Sequence, residues 1–283
     1  MKEFLMLTNI ICEEEIKRLK KVLDRSEKIA ITCHVSPDGD AIGSSLGLAL
    51  SLSALDKDVT VVVPDMFPKN LMFLPGAKEI VVYSKDEAYA SEIFNAADLI
   101  FALDYNEPSR TDKMSAAVTG AKAVKAMIDH HLFPTDFTDI KISHPEVSST
   151  AMLVFRVLCA MGLYDIIDKK TATCLYTGMM TDTGNFSYNS NDPHLYIAIS
   201  EFLKKGIDKD AIYKKVYFSS TPDKMRLNAF AIDRKMDIIA DGCGAIITLT
   251  RNELNHYHYQ NGATAGLVKQ PLRIPEIGFA IFL

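Results

Sequence analysis

The sequence predicts a doubly wound α/β fold, in which a mostly parallel sheet is followed by connecting helices and a smaller α/β domain. Short apolar runs such as KIAITCH and DLIFALD lack a polar face, which is typical of strands buried on both sides of a sheet. These runs alternate with helical stretches, as successive βαβ units require. The length of 283 residues is sufficient for one large domain or two modest ones.

The first predicted element is an amphipathic helix over residues 13–27, because Ile16, Leu19, Val22 and Leu23 recur at helical spacing. Strands and helices then alternate as far as residue 129. The predicted strands are 28–34, 58–64, 79–84, 98–104 and 123–129, and the predicted helices between them are 40–55 and 87–97.

The second half of the chain has a different pattern. It is helical from residue 147, with shorter polar helices over 193–233 that we expect to act as a connector. Strand-like segments at 242–250 and 277–283 lie on either side of a helix near 251–258. We therefore place a domain boundary near residue 190, which gives domains 1–190 and 191–283.

Net charge, cysteine spacing and the lengths of the apolar runs argue against several classes of protein. A net charge of −5 does not favour binding to long nucleic acid, which is typical of basic surfaces. The five cysteines lack CxxC spacing, so neither a disulfide framework nor a zinc knuckle is predicted. Three glutamates follow the N-terminal apolar run where a signal peptide would have a small-residue cleavage site, and no apolar run is long enough for a membrane span. We expect a soluble, cytoplasmic protein.

Potential metal ligands follow several predicted strands and one predicted helix. Because the carboxyl ends of parallel strands meet at one edge of a sheet, side chains that follow those strands are expected to lie close together. The residues concerned are His34, Asp38, Asp40, Asp104, Asp129, His130, His131 and Asp182.

Clustered carboxylates repel one another unless a cation neutralises them. Two divalent ions would balance the four negative charges of Asp38, Asp40, Asp104 and Asp182, and would acidify a water molecule between them. Taken singly, each of these groups of residues has a simpler interpretation. PDG is a common turn signal, and a histidine pair more often lies at the surface or in the core than in a set of metal ligands. Their succession on neighbouring strand ends favours the metal site.

Four segments resemble the motifs of the DHH phosphoesterase superfamily, in order: HVSPDGDAIGSSLGLAL, ALDYNEPSR, IDHH and TGMMTDTGNFSY. The resemblance is close over residues 10–190. Within the superfamily the chain is most similar to bacterial oligoribonucleases (nanoRNases) and pAp phosphatases, which join a DHH domain to a C-terminal DHHA1 domain.

The resemblance implies two metal-ligand sets. One ion would be held by His34, Asp38 and Asp104, and the other by Asp40, His130 and Asp182 together with Asp104, which bridges the two. Manganese is the expected ion, with magnesium and cobalt as alternatives, because imidazole ligands shift preference away from magnesium.

The resemblance also implies roles for three residues that are not ligands. His131 would contact the scissile phosphate and protonate or stabilise the leaving oxygen. Asp129 would hold a ligand histidine in its working tautomer. Arg110 is a candidate phosphate-binding residue, with a solvated loop charge as the equal alternative.

The activity implied is hydrolysis of short oligoribonucleotides to mononucleotides, removal of the 3′-phosphate of pAp, or both, by a water that two metal ions activate. Other substrates that fit the same centre are linear dinucleotides derived from cyclic dinucleotides, pyrophosphate and polyphosphate. A nucleotide-binding module with weak catalysis is the non-enzymatic alternative.

The second domain of the family normally carries an Arg-Ser segment and a GGGH-type motif, and neither occurs before residue 283. We therefore expect an incomplete DHHA1 domain. Expected partners are short oligoribonucleotides or pAp, without long nucleic acid or membrane, and a homodimer is left open because an incomplete sheet would expose an edge.

Overall fold

The chain forms two compact units, the first ending at Lys215 and the second spanning Val216–Leu283. The structure is a computed structural model, and it describes residues 10–218, 220–259, 263–264 and 266–283. The division between the units lies after residue 215 and not near 190. Of the stretch 193–233 that we expected to act as a connector, the part up to residue 215 belongs to the first unit and the rest to the second.

The first unit is built on a six-stranded sheet in which every neighbouring pair of strands is parallel. The strand order is β3-β2-β1-β4-β5-β6, so the chain moves outward in one direction from β1 and then in the other from β4. This is the doubly wound arrangement that the sequence predicts. The strands are β1 (Lys28–Thr32), β2 (Asp58–Val63), β3 (Val81–Val82), β4 (Leu99–Leu103), β5 (Val124–Asp129) and β6 (Ile140–Ser143).

Helices surround this sheet. On one face, Ala30 of β1 and Ile100 of β4 lie side by side and join a core with Phe94 and Val118, which come from two of the helices. The first-unit helices are α1 (Glu13–Arg25), α2 (Gly39–Ser53), α3 (Glu87–Ala96), α4 (Ser115–Gly120), α5 (Thr150–Ala160), α6 (Lys169–Asp182), α7 (Pro193–Lys204) and α8 (Lys209–Tyr217), the last of which ends two residues beyond Lys215. Helix α2 packs on β1, β2 and β4, and also on α5 and α6.

Close packing of α2 on α6 depends on glycine at the contact. A Cβ atom added to Gly43 would lie 2.6 Å from the carbonyl oxygen of Cys174 and 2.8 Å from the amide nitrogen of Gly178. Both distances are shorter than non-bonded atoms tolerate, and both neighbours are backbone atoms that cannot rotate away. The small residues at the start of α2 thus allow the two helix backbones to touch.

The second unit contains helices α9 (Pro222–Lys235) and α10 (Arg251–His256) and strands β7 (Met236–Ile239), β8 (Gly244–Ile247) and β9 (Phe279–Phe282). Strand β8 pairs antiparallel with β7 and parallel with β9. Leu227 and Ala231 of α9 pack with Ile247 and Leu267 in a separate small core.

Most predicted elements are present, and two strands were missed. Strand β6 is only four residues long, and strand β7 directly follows a helix, so neither stood out as an apolar run. Across the described residues, no helix has both the length and the apolar character that crossing a membrane requires. The N-terminal apolar run, for which the sequence predicts no signal peptide, lies largely outside the described residues.

We expect Gly43→Ala to lower the free energy of unfolding by about 1–2 kcal/mol, because the forced separation of α2 from α6 outweighs the gain in helix propensity. Gly120→Ala is the matched control, since a Cβ atom there would meet no atom within 4 Å. Urea denaturation followed by circular dichroism measures both variants. Equal stability of Gly43→Ala and the wild type would contradict this account of the packing.

Candidate metal centre

The candidate site lies where the strand order of the sheet reverses. Strands β1 and β4 are neighbours, but the chain leaves them in opposite directions, which opens a crevice at their carboxyl ends. His34 follows β1 and Asp104 follows β4, so both side chains reach this crevice. The sheet topology therefore brings the first two predicted motifs together.

His34, Asp38 and Asp104 form one group of potential ligands, with one donor atom from each lying within 4.8 Å of the others. The Nε2 atom of His34 is 3.4 Å from Asp104 Oδ2 and 3.9 Å from Asp38 Oδ1. The Nδ1 atom of the same ring lies 2.8 Å from the carbonyl oxygen of Val35. Because a carbonyl only accepts, Nδ1 carries a proton, and in the neutral ring Nε2 presents its lone pair to the crevice.

Asp40, His130 and Asp182 form a second group within the same 4.8 Å limit. The Nε2 atom of His130 is 3.6 Å from Asp182 Oδ2 and 4.0 Å from Asp40 Oδ2. Its Nδ1 atom lies 3.1 Å from the carbonyl oxygen of Val147, so this ring also presents Nε2 to the crevice. Both histidines that we predicted as ligands are thus held in the same tautomer by a backbone carbonyl.

Asp104 lies between the two groups. Its Oδ2 atom faces His34, and its Oδ1 atom lies 3.6 Å from His130 Nε2. The residue is 2% exposed and has a φ of 63°, a left-handed conformation that aspartate adopts more readily than most residues. This position between the two groups fits the bridging role that the resemblance implies.

Asp40 and Asp38 are both held by helix N-termini. The carboxylate of Asp40 is buried and accepts hydrogen bonds from the amides of Thr150 (2.6 Å) and Ala151 (2.9 Å), the first residues of α5. Asp38 caps α2 by accepting from the amides of Asp40 and Ala41. Amide donors at helix ends stabilise negative charge, and here they also fix the orientation of both carboxylates.

Asp129 contacts His131 and not a predicted ligand, which corrects one expectation. Asp129 Oδ1 lies 2.7 Å from His131 Nδ1, and Asp129 Oδ2 accepts from the His131 amide at 3.1 Å. Side chains two positions apart in an extended segment point to the same side, whereas that of His130 points to the other. Val147, which the sequence did not single out, has the orienting role for His130 that we had assigned to Asp129.

His131 also lies near Asp104, but through a different nitrogen. The atom 3.7 Å from Asp104 Oδ1 is Nδ1, which already donates its proton to Asp129. His34 and His130 instead face the carboxylates through Nε2. All three rings carry a proton on Nδ1, so what separates the two predicted ligands from His131 is the nitrogen that faces Asp104.

The pKa values reflect the crowding of charge. Burial, followed by the charges of Asp104, Asp182 and Asp38, raises the pKa of Asp40. Burial also raises the pKa of Asp182 to about 6, although the charge of His130 partly opposes this. These carboxylates repel one another when all are ionised.

Histidines compensate part of this charge. Burial opposes protonation of His34, but its hydrogen bond to Asp104 and the charge of that carboxylate raise the pKa of His34 to about 9. Burial likewise opposes ionisation of Asp104, yet His34 and the two neighbouring histidines lower its pKa. A proton on Nε2 of His34 thus lies where a cation would otherwise face Asp104.

The donor set fits divalent metal ions. Carboxylate oxygens and imidazole nitrogens are the ligand types of manganese and related ions. Four carboxylates meet at one edge of the sheet, and neutral histidines cannot balance their negative charge. The third potential ligand group among the described residues, Asp104, His130 and His131, shares two members with the sets above.

The environment of Arg110 is only partly as predicted. Its backbone carbonyl accepts from the amide of Val35 at 2.7 Å and so supports the loop that follows β1. The hydrogen bond that His131 donates to Asp129 raises the pKa of His131, while burial and the positive charge of Arg110 oppose that rise. The guanidinium is therefore close enough to act on His131, and its binding of phosphate stays a prediction.

Two further residues contact the site without having been predicted to. The hydroxyl of Thr150, the first residue of α5, donates to Asp104 Oδ1 at 2.9 Å. Asp65, which follows β2, accepts from the amide of Ser36 at 2.7 Å. Asp65 follows a strand just as the predicted ligands do, and that position is the signal by which it could have been found.

Comparison with known proteins agrees with these motifs. The model of the DHH family, N-terminal domain, matches residues 28–179. A Thermus thermophilus protein named bifunctional oligoribonuclease and PAP phosphatase NrnA is 32% identical over 72% of this chain and 59% of its own length. The chain thus spans less than two thirds of that relative.

Two other relatives bear different names. Cyclic-di-AMP phosphodiesterase GdpP of Bacillus subtilis is 27% identical over 84% of this chain and 36% of its own length. The crystal structure of an exopolyphosphatase-related protein from Bacteroides fragilis is 47% identical, with a TM-score of 0.93, over 95% of this chain and 79% of that one. Since the family model covers more than half of the chain and includes three of the four motif segments in full, the chain belongs to the DHH family of phosphoesterases.

Proposed function

We propose that this protein is a metal-dependent phosphoesterase that hydrolyses short oligoribonucleotides to mononucleotides and removes the 3′-phosphate of pAp. The observation that carries the proposal is the convergence of four carboxylates and two Nε2-presenting histidines at the switch point of the sheet. Such a set is suited to two divalent cations rather than to a nucleophilic side chain.

In this proposal His34, Asp38 and Asp104 hold one ion, and Asp40, Asp104, His130 and Asp182 hold the other. Manganese is the expected ion, with magnesium and cobalt as alternatives. Divalent ions bound there would supply the Lewis acidity that polarises a phosphoryl oxygen and acidifies water.

The chain itself contributes His131 and Asp129. Asp129 is fully buried, accepts the Nδ1 proton of His131 and thereby fixes the plane of the ring. The Nε2 atom is then the nitrogen that a substrate meets, and it can donate a proton to the leaving oxygen once the ring is protonated. The charge of Arg110 acts on His131, and in this proposal its guanidinium also binds a phosphate of the substrate.

The choice of substrate class rests on charge and on the relatives. A net charge of −5 is poorly suited to tracking long RNA, whereas small anions can still bind at a local cationic site. The Thermus thermophilus relative is named for oligoribonuclease and PAP phosphatase activities.

A second candidate substrate class has its own support. The GdpP relative is named a cyclic-di-AMP phosphodiesterase, and it aligns with 84% of this chain. The Bacteroides fragilis structure is of an exopolyphosphatase-related protein. Cyclic dinucleotides and inorganic polyphosphates are therefore the competing substrates to be tested.

A substrate panel tests the proposal directly. With manganese, we expect release of mononucleotides from di- to pentaribonucleotides and of phosphate from pAp, at rates well above those on cyclic dinucleotides, pyrophosphate and polyphosphate. Product analysis by chromatography gives the rates, and removal of metal by EDTA should stop every reaction. Preferential hydrolysis of cyclic dinucleotides or polyphosphate would transfer the assignment to the second class.

Removing the shared carboxylate should abolish both metal binding and turnover. We expect Asp104→Ala to lower turnover by at least about 100-fold, since even residues that only orient metal ligands contribute roughly 10–100-fold. Calorimetric titration with manganese should show a matching loss of binding. The control is Asp98→Ala, because Asp98 accepts from the amides of Glu27 and Lys28 at the opposite end of β1. Full activity of Asp104→Ala would refute the proposed centre.

Substitution at His131 should separate catalysis from metal binding. We expect His131→Asn to lower kcat by about 100-fold or more, as loss of a proton donor does, while manganese binding is retained. Asp129→Asn should have a smaller effect in the same direction, because His131 remains but its ring is less firmly held. If His131→Asn instead lost manganese binding, the residue would be a ligand and its assigned role would be wrong.

A further inference from the structure

We propose that Thr150 is a positioning residue that sets the separation of Asp40 and Asp104, and with it the affinity of the site for divalent metal. The inference rests on the proposed metal centre and adds a residue to which no role at that centre has been assigned. Its hydroxyl donates to Asp104 Oδ1 at 2.9 Å, and its amide donates to Asp40 Oδ2 at 2.6 Å.

The start of helix α5 makes both bonds available at once. The preceding residue, Ser149, is the N-cap, and its side chain accepts from the amide of Met152. Thr150 is therefore the first helical residue, where its own amide has no partner within the helix and its hydroxyl is not needed for capping. Both groups are free to bind the two carboxylates.

Burial makes these contacts costly to lose. Thr150 is 0% exposed, and Asp40 and Asp104 are 1% and 2% exposed. Water cannot readily replace a hydroxyl donor in such a place, so its removal leaves a carboxylate oxygen short of a partner. The same substitution on a solvated carboxylate would have little effect.

The hydroxyl determines how Asp104 is oriented. Histidine nitrogens lie near both oxygens of this carboxylate, at 3.4 Å from Oδ2 and at 3.6 and 3.7 Å from Oδ1, and none of these distances is that of a short hydrogen bond. The Thr150 hydroxyl makes the short bond to Oδ1, so it fixes the rotation of the carboxylate plane. One lone pair on Oδ1 is thereby occupied, and the remaining acceptor positions can face a cation.

Removing the hydroxyl should therefore weaken metal binding more than it weakens the fold. Thr150→Val keeps the shape of the side chain but places a methyl group against Asp104 Oδ1. Thr150→Ser keeps the hydroxyl and loses only the methyl group. We expect the manganese dissociation constant to rise about 10–100-fold in Thr150→Val and to stay within about threefold of wild type in Thr150→Ser.

The matched control is Thr177→Val. Thr177 is also fully buried, but its hydroxyl donates to the carbonyl oxygen of Thr173 within its own helix at 2.8 Å. Loss of that bond should lower thermal stability without changing the dissociation constant for manganese. A comparison of the two valine variants thus separates the loss of a buried hydroxyl from the loss of the contact with Asp104.

The experiment is calorimetric titration of each metal-free, full-length protein with manganese, after circular dichroism has confirmed folding. Weak binding by Thr150→Val together with near-normal binding by Thr150→Ser and Thr177→Val supports the inference. Near-normal binding by Thr150→Val overturns it, while the proposed function stands if the wild type binds manganese.

Two further outcomes are decided in the same experiment. If Thr150→Val does not fold, Thr150→Ala and Thr150→Ser take its place, and equal affinity in that pair overturns the inference. If the wild-type protein binds no manganese, the metal centre of the proposed function fails and the role of Thr150 fails with it.

Discussion

The organisation of the first unit depends on one electrostatic constraint, the convergence of carboxylates at a single edge of a buried sheet. Asp40 and Asp104 are almost wholly removed from water, and Asp182 lies beside them. Such groups are stable only if donors or cations face them. Helix N-termini, a threonine hydroxyl and histidine nitrogens provide part of that compensation, and the remainder matches the charge of divalent ions.

Packing of the helices follows from the same constraint. Asp40 begins α2, Asp182 ends α6, and Thr150 begins α5, so three helix termini must meet at one point above the sheet. Two of these helices can come that close only because Gly43 and Gly178 lack side chains. A substitution that separates α2 from α6 would move Asp40 relative to Asp182. Residues that contact no substrate thus contribute to the geometry of the site.

Much of this could be predicted from the sequence, for identifiable reasons. Apolar strands followed by His34, Asp104 and His130 indicate both the sheet and its functional edge, because strand ends in a parallel sheet are necessarily neighbours. The partner of Asp129 could not be predicted, since it depends on which side of the chain each side chain takes. The role of Thr150 could not be predicted either. A run of Ser-Ser-Thr before a helix does not show which residue is the cap, and therefore which hydroxyl is left to contact Asp104.

The relatives suggest how one centre accommodates several substrates. A protein named oligoribonuclease and PAP phosphatase and another named cyclic-di-AMP phosphodiesterase both align with most of this chain, although the chain covers only 59% and 36% of their lengths. Phosphoester hydrolysis needs only the scissile phosphate and the groups that surround it, which the first unit places at the switch point. Discrimination between these substrates must then depend on contacts with the sugar, the base or a second phosphate. Substitutions at the metal centre should therefore lower the rates on all substrates together, and substitutions elsewhere should change their ratios.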